Sequence, residues 1–113
     1  MLRRLLADAI TEVDGVEVVA EAPDGRAALE GIERHAPSVV VMDLQMPGMG
    51  GLPALQALRQ RGDTARVIVL TNHASETYRD ACLAAGADHF FDKSRDMDAV
   101  LTVLRDWAGA ADA

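Results

Sequence analysis

The chain has little cysteine and few aromatic residues. Of its 113 residues one is a cysteine, Cys82, and aromatic side chains make up only 4%. A single cysteine cannot form a disulfide within the chain, and this usage is typical of proteins in a reducing compartment. Half of the chain is hydrophobic and about a quarter is charged, a composition typical of a globular protein and not of a disordered one. The sequence predicts a globular, cytoplasmic protein.

Positive charge and long apolar runs are also scarce. Lys and Arg total 11 against 18 Asp and Glu, which gives a net charge of −7 and disfavours binding to nucleic acid or to anionic membranes. No apolar run approaches the roughly 20 residues of a membrane-spanning helix, and the basic start of the chain is not followed by a signal-peptide core. We expect no DNA binding and no membrane attachment by this chain, and a single domain over residues 1–113.

Short apolar runs alternate along the chain with amphipathic segments. Apolar residues at helical spacing predict helices over residues 2–13, 26–35, 52–61, 75–85 and from Met97 onward. Apolar runs bounded by turn formers predict strands at 16–20, 39–43, 67–70 and 89–91. Alternation of strands and helices with short connections indicates an α/β fold with a parallel, doubly wound sheet.

Three of the predicted strands lead into polar residues that suit one reaction. Asp43, Thr71 and Lys93 each stand at or just after the end of an apolar run. The carboxyl ends of parallel strands lie along one sheet edge, where open α/β sheets place their chemistry. Singly, these residues are as well explained as a helix cap, a turn former and a surface lysine. Together, a carboxylate nucleophile, a hydroxyl donor and a compact cation favour phosphoryl transfer to Asp43.

These segments resemble the receiver domain of two-component response regulators over nearly the full length of the chain. The resemblance rests on EAPDG at 21–25, VVVMDLQMPGMGG at 39–51, VIVLTNH at 67–73 and AGADHFFDKS at 85–94, in matching order and spacing. It implies a flavodoxin-like fold and a phosphoryl group accepted by Asp43 from a sensor histidine kinase or a phosphotransfer protein. It also implies that Thr71 and Lys93 contact the phosphoryl group and that Phe90 is an aromatic switch residue.

Phe90 has two interpretations that the sequence leaves open. It lacks a hydroxyl, so a switch at this position would have to work by packing alone. A plain aromatic residue of the core explains it equally well.

The chain departs from the family at its beginning. It starts at the first helix, so the family's first, central strand and the acidic pair that holds Mg²⁺ are missing, and four strands and five helices are expected. Without that pair, Asp43 and the backbone carbonyl of Gln45 are the remaining Mg²⁺ ligands that the resemblance implies. Either the sequence is an incomplete record of an ordinary receiver, or it is a degenerate receiver with a rearranged or exchanged strand. Strand exchange predicts a homodimer.

The function predicted from the sequence is that of a stand-alone phosphoacceptor receiver that signals by binding a downstream protein partner. The alternative is a degenerate, receiver-like interaction module that works without phosphorylation. An α/β nucleotide-binding enzyme is disfavoured, because no Gly-x-Gly-x-x-Gly or Gly-x-x-x-x-Gly-Lys-Ser/Thr loop follows any predicted strand. We therefore expect no enzymatic activity.

Overall fold

The computed structural model describes residues 8–44, 50–72 and 75–112, and the side chains among them up to residue 109. Helices in these ranges are α1 (8–11), α2 (Gly25–His35), α3 (Gly51–Gln60), α4 (Glu76–Ala84) and α5 (Met97–Asp112). The strands are β1 (Val39–Asp43), β2 (Arg66–Thr71) and β3 (His89–Asp92). None of the helices described is long and apolar enough to cross a membrane.

The helices begin where the sequence supplies capping side chains. Asp24 precedes α2, and its Oδ1 accepts a hydrogen bond from the backbone N–H of Ala27 at 2.8 Å. Ser75 precedes α4 and accepts from the N–H of Tyr78 at 3.2 Å. Each cap satisfies one of the backbone donors that the first turn of a helix leaves without a partner. The predicted capping role of Asp24 is confirmed.

The three strands form a parallel sheet in the order β1-β2-β3. Val40 stands opposite Val67 in β2, and Val69 stands opposite Phe90 in β3. The strands are joined through helices, as parallel strands require. The prediction of an α/β fold with a parallel sheet is confirmed.

Helices cover both faces of the sheet, so the core has two halves. One half packs α2, α3 and α4 against the sheet; its buried residues are Leu29, Ile32, Met42, Ala54, Leu55, Leu58, Val67, Val69, Cys82 and Ala87. The other half packs α1 and α5 against the opposite face; its buried residues are Ile10, Ile68, Leu70, Val100 and Leu104. The buried residues of both halves are mainly aliphatic.

The prediction of four strands is wrong for the described residues, which form three. Residues 16–20 were predicted as a strand but are not part of the sheet. Their apolar pattern suits a strand, yet a strand forms only against a hydrogen-bonded neighbour. Between residues 16–20 and β1 lies an open cleft of about 1240 Å³, so no ladder connects them.

Candidate functional site

The sheet brings the ends of its three strands together at one edge. Asp43 is the last residue of β1, Thr71 is the last residue of β2, and Lys93 follows β3 directly. Two bonds continue the ladder at this edge: Leu44 N–H donates to the Leu70 carbonyl at 3.0 Å, and Lys93 N–H donates to the Thr71 carbonyl at 2.9 Å. The backbones around the three residues are therefore held in fixed register.

Asp43 and Lys93 form an ion pair across the end of β2. The ammonium Nζ of Lys93 donates a hydrogen bond to Oδ2 of Asp43. The Lys93 side chain is 12% exposed and the Asp43 side chain 28% exposed, so the pair is partly shielded while the carboxylate can still be reached from solvent. A partly shielded ion pair is screened less by salt than one on the open surface.

Thr71 lies on the strand between these two residues. It is fully buried, at 0% exposure. Among the described residues, no other polar or charged residue is buried. No buried side-chain oxygen or nitrogen of the described residues lacks a hydrogen-bond partner, so its hydroxyl is satisfied within the protein. Rotation about χ1 carries a threonine hydroxyl from one staggered position to another.

The start of α3 is in close contact with Asp43, and the contact explains Gly51. A Cβ atom on Gly51 would lie 2.5 Å from the carbonyl oxygen of Asp43 and 3.0 Å from Cα of Leu44. Only glycine fits here without displacing backbone. The arrangement points the positive end of the α3 dipole toward the end of β1. The sequence indicated a glycine-rich loop at this point but did not identify which glycine the contact requires.

The turn that carries Lys93 is held by two aspartates that sequence reasoning missed. Oδ1 of Asp92 accepts from the Ser94 backbone N–H at 2.8 Å and from its hydroxyl at 2.6 Å. Asp96 accepts from the backbone N–H of Asp92 at 2.9 Å. The hydrogen bonds from Ser94 are the largest cause of a lowered pKa for the Asp92 carboxyl. An Asp followed two residues later by Ser is the local sequence signal for such a turn.

Phe90 lies within β3 and not at the strand ends. It is half-buried and packs against the half of the core formed with α2, α3 and α4. Its role as a switch stays a prediction, since packing of this kind is also expected for a core aromatic residue.

The described residues do not fit the predicted Mg²⁺ site. Among them, no group of three or more His, Cys, Asp or Glu residues could hold a metal ion. Asp43 is paired with Lys93, and the carboxylate of Asp92 accepts hydrogen bonds from Ser94. Gln45, whose carbonyl was the second predicted ligand, lies outside the described residues.

Comparisons with known proteins agree with one another. A family model described as the response regulator receiver domain matches residues 1–105. The nitrate/nitrite response regulator protein NarP of Escherichia coli (strain K12) is 39% identical over 110 residues, covering 97% of this chain and 50% of NarP. The chemotaxis protein CheY of Bacillus subtilis (strain 168) is 34% identical over 103 residues, covering 91% of this chain and 85% of CheY.

Solved structures show the same fold. The signal receiver domain of the putative response regulator NarL from Mycobacterium tuberculosis has a TM-score of 0.86 and 32% identity, covering 96% of this chain and 87% of that one. The present chain spans half the length of NarP. Because the family model covers most of the chain and the relatives agree with it, the chain belongs to the response regulator receiver domain family.

Proposed function

We propose that this chain accepts a phosphoryl group on Asp43 from a sensor histidine kinase or a phosphotransfer protein, and that phosphorylation changes its binding to a downstream protein. The observation that carries the proposal is the pairing of Lys93 Nζ with Asp43 Oδ2 at the carboxyl edge of the sheet. A carboxylate and an ammonium lie side by side there, with a hydroxyl on the strand between them, and this supports a nucleophile and a phosphate-binding cation in one site. The family membership supports the same function.

In the proposed transfer, a carboxylate oxygen of Asp43 attacks the phosphorus of a phosphohistidine on the donor protein. A P–O bond to Asp43 forms as the P–N bond to the imidazole breaks, and the imidazole nitrogen keeps the electron pair. The carboxylate becomes an acyl phosphate. Asp43 is suited to this role because part of its side chain is open to solvent.

Lys93 and Thr71 then have distinct roles in the proposal. The ammonium of Lys93 pairs with the new phosphoryl oxygens and so balances charge that builds up during transfer. The Thr71 hydroxyl rotates from its buried partner to donate to the phosphoryl group. That movement opens space beside Thr71 in the core, and Phe90 repacks in response and alters the surface that a downstream partner binds.

A second candidate function is a receiver-like interaction module that works without phosphorylation. The observation that favours it concerns the ligands for Mg²⁺. Receiver domains generally bind Mg²⁺ at an acidic site, and the described residues contain no cluster of metal-binding side chains that could form one. A homodimer is a further proposal that rests on the resemblance.

Incubation with acetyl phosphate, with and without added MgCl₂, separates the two functions. We expect the intact mass to rise by one phosphoryl group in the parent chain and in Asp80→Asn, which removes an exposed acid on α4. Asp43→Asn should show no gain, because the amide is not a nucleophile. Lys93→Gln should gain phosphoryl at least tenfold more slowly, because the cation is lost.

Folding of each variant is checked by circular dichroism before phosphorylation is measured. A folded parent chain that gains no phosphoryl group under either condition would overturn the phosphoacceptor proposal in favour of the interaction module. Equal gain in the parent chain and in Asp43→Asn would show that another residue is modified.

A further inference from the structure

Asp92 engages the turn after β3 through its backbone as well as its side chain. Its Oδ1 accepts from the backbone N–H of Ser94 at 2.8 Å and from that of Arg95 at 3.3 Å. Its carbonyl accepts from the N–H of Asp96 at 2.9 Å, and its own N–H donates to Oδ2 of Asp96 at 2.9 Å. The residues between Asp92 and Asp96 are thereby closed into one hydrogen-bonded turn.

Lys93 is the first residue of this turn, and its backbone is fixed on both sides. Its N–H donates to the Thr71 carbonyl at 2.9 Å, which ties it to β2. The next backbone donor along the chain belongs to Ser94 and is held by Asp92. Thr71 and Asp92 also stand opposite each other in the register. The point from which the Lys93 side chain starts is therefore set relative to the sheet.

The Lys93 side chain needs such a fixed starting point. Lysine carries its ammonium on a flexible four-carbon stem, and holding such a side chain in one arrangement costs conformational entropy. The Lys93 side chain is nevertheless only 12% exposed, and its ammonium pairs with Asp43. A shift of the backbone would move the ammonium with it, and a misplacement of about 1 Å near a reacting group can cost roughly a hundredfold in rate.

No other lysine can take the place of Lys93. It is the only lysine in the chain, and the other strongly basic side chains are arginines. An arginine presents a planar fork of donors and not a compact point charge. Whatever holds the ammonium of Lys93 in place therefore controls this contribution to the site.

The hydrogen bonds of Asp92 are not explained by the start of α5 alone. The N–H of Val100 donates to the Asp96 carbonyl at 3.1 Å, so the first turn of α5 closes on Asp96 and not on Asp92. The ion pair of Asp92 with Arg95 is weak support, because it is 3.5 Å long and the arginine is 76% exposed. The contacts that remain for the Asp92 carboxylate are those that shape the turn.

We propose that Asp92 is a positioning residue for phosphoryl transfer to Asp43. Its hydrogen bonds fix the turn that begins with Lys93 and so hold the Lys93 ammonium at the Asp43 carboxylate. The inference rests on the proposed phosphoacceptor function. Asp92 itself stays out of contact with the phosphoryl group, and what it must supply is an acceptor oxygen and not a negative charge.

The rate of phosphoryl gain from acetyl phosphate tests the proposal. Asp92→Ala should slow the gain roughly tenfold, because the ammonium is no longer held in place. Asp92→Asn keeps an Oδ1 acceptor and should restore the rate to within about twofold of the parent. Arg95→Ala keeps the backbone N–H, removes only the exposed ion pair, and should leave the rate unchanged.

A double-mutant cycle separates positioning from a general structural role. If Asp92 acts through the ammonium, Asp92→Ala should cause no further slowing in the Lys93→Gln background, since coupled residues do not have additive effects. The same slowing in both backgrounds would overturn the proposal.

Chemical labelling of Lys93 gives a second readout that does not require phosphorylation. Because the chain has a single lysine, an N-hydroxysuccinimide ester of acetic acid modifies one side-chain amine besides the amino terminus, and digestion followed by mass spectrometry distinguishes the two. We expect Lys93 to be labelled several-fold faster in Asp92→Ala than in the parent chain, and at the parent rate in Asp92→Asn.

Circular dichroism establishes that each variant is folded. Asp96→Ala, which frees the N–H of Asp92, is the second variant should Asp92→Ala not fold. Parent-like phosphorylation and labelling in a folded Asp92→Ala would overturn the positioning role alone, as would an Asp92→Asn that behaves like Asp92→Ala. A parent chain that gains no phosphoryl group would overturn the proposed function, and labelling would still decide whether the turn holds Lys93.

Discussion

β1 and β2 have similar apolar sequences but very different surroundings. β2 is the central strand of the described sheet, and Val67, Ile68 and Val69 are all 0% exposed. Among the strands that the structure describes, β1 pairs with β2 alone, and its three valines remain half-buried. Helices cover the faces of both strands, so the difference arises at the edges. An apolar run predicts a strand that can be buried on both faces. Burial of that strand also requires a hydrogen-bonded neighbouring strand on each side.

The largest expected effect comes from a matched pair of substitutions. Val40 and Val67 stand opposite each other in the register, so the same change tests the two strands directly. Val67→Ala should lower the free energy of unfolding by about 2 kcal/mol, because a fully buried valine loses its packing. Val40→Ala should cost less than half of that, since the side chain is only half-buried. Urea unfolding followed by circular dichroism measures both, and equal losses would contradict the comparison.

Arg59 provides the next test, because it secures the turns that lead into β2 and β3. Its guanidinium donates to the Asp63 and Ala65 carbonyls at 2.8 Å each, and to the Gly86 carbonyl at 2.8 and 3.2 Å. Arg59→Ala should lower the free energy of unfolding by about 1.5 kcal/mol, because these bonds are lost together.

Arg59→Lys is the control for charge. A lysine keeps the positive charge but cannot reach several carbonyls with a planar fork of donors, so it should recover less than half of the loss. Full recovery by lysine would show that charge, and not the hydrogen-bonded fork, secures the turns.

The smallest effect is expected at the end of β3, where Ser94 holds Asp92. Hydrogen bonds from Ser94 lower the pKa of Asp92 below its ordinary value of 3.8. A carboxyl whose pKa is lower in the folded state than in the unfolded state stabilises the protein at pH values above the unfolded-state pKa. That stabilisation is lost as the pH falls through the folded-state pKa. Ser94→Ala should move the pKa of Asp92 back toward 3.8 and reduce the stability lost on acidification.

NMR titration of the side-chain carboxyl carbons measures the pKa of Asp92 in the parent chain and in Ser94→Ala. Acid unfolding of the same two proteins measures the stability that each loses as the pH falls. The exposed Thr102→Ala, on α5, serves as a control that should leave the Asp92 pKa unchanged. An Asp92 pKa that stays the same in Ser94→Ala would contradict the assigned cause.

Much of the fold follows from local sequence, and what does not follow depends on contacts between distant residues. The parallel sheet, the Asp24 cap and the positions of the strand ends were predictable because hydrophobic period and capping chemistry act over a few residues. The extended run at 16–20 was predicted wrongly because its propensity is that of a strand but pairing requires a neighbour elsewhere in the chain. The close contact of Gly51 with Asp43 also depends on how α3 returns to the sheet.

The contact between Gly51 and the carbonyl of Asp43 means that the first turn of α3 rests directly against the end of β1. With no space for even a methyl group between them, the backbone at Asp43 cannot shift toward α3 without pushing the helix along. α3 is packed in turn against the sheet through Leu55 and Leu58, both at 0% exposure. A shift of the Asp43 backbone toward α3 would therefore be resisted both by the first turn of the helix and by the core packing behind it.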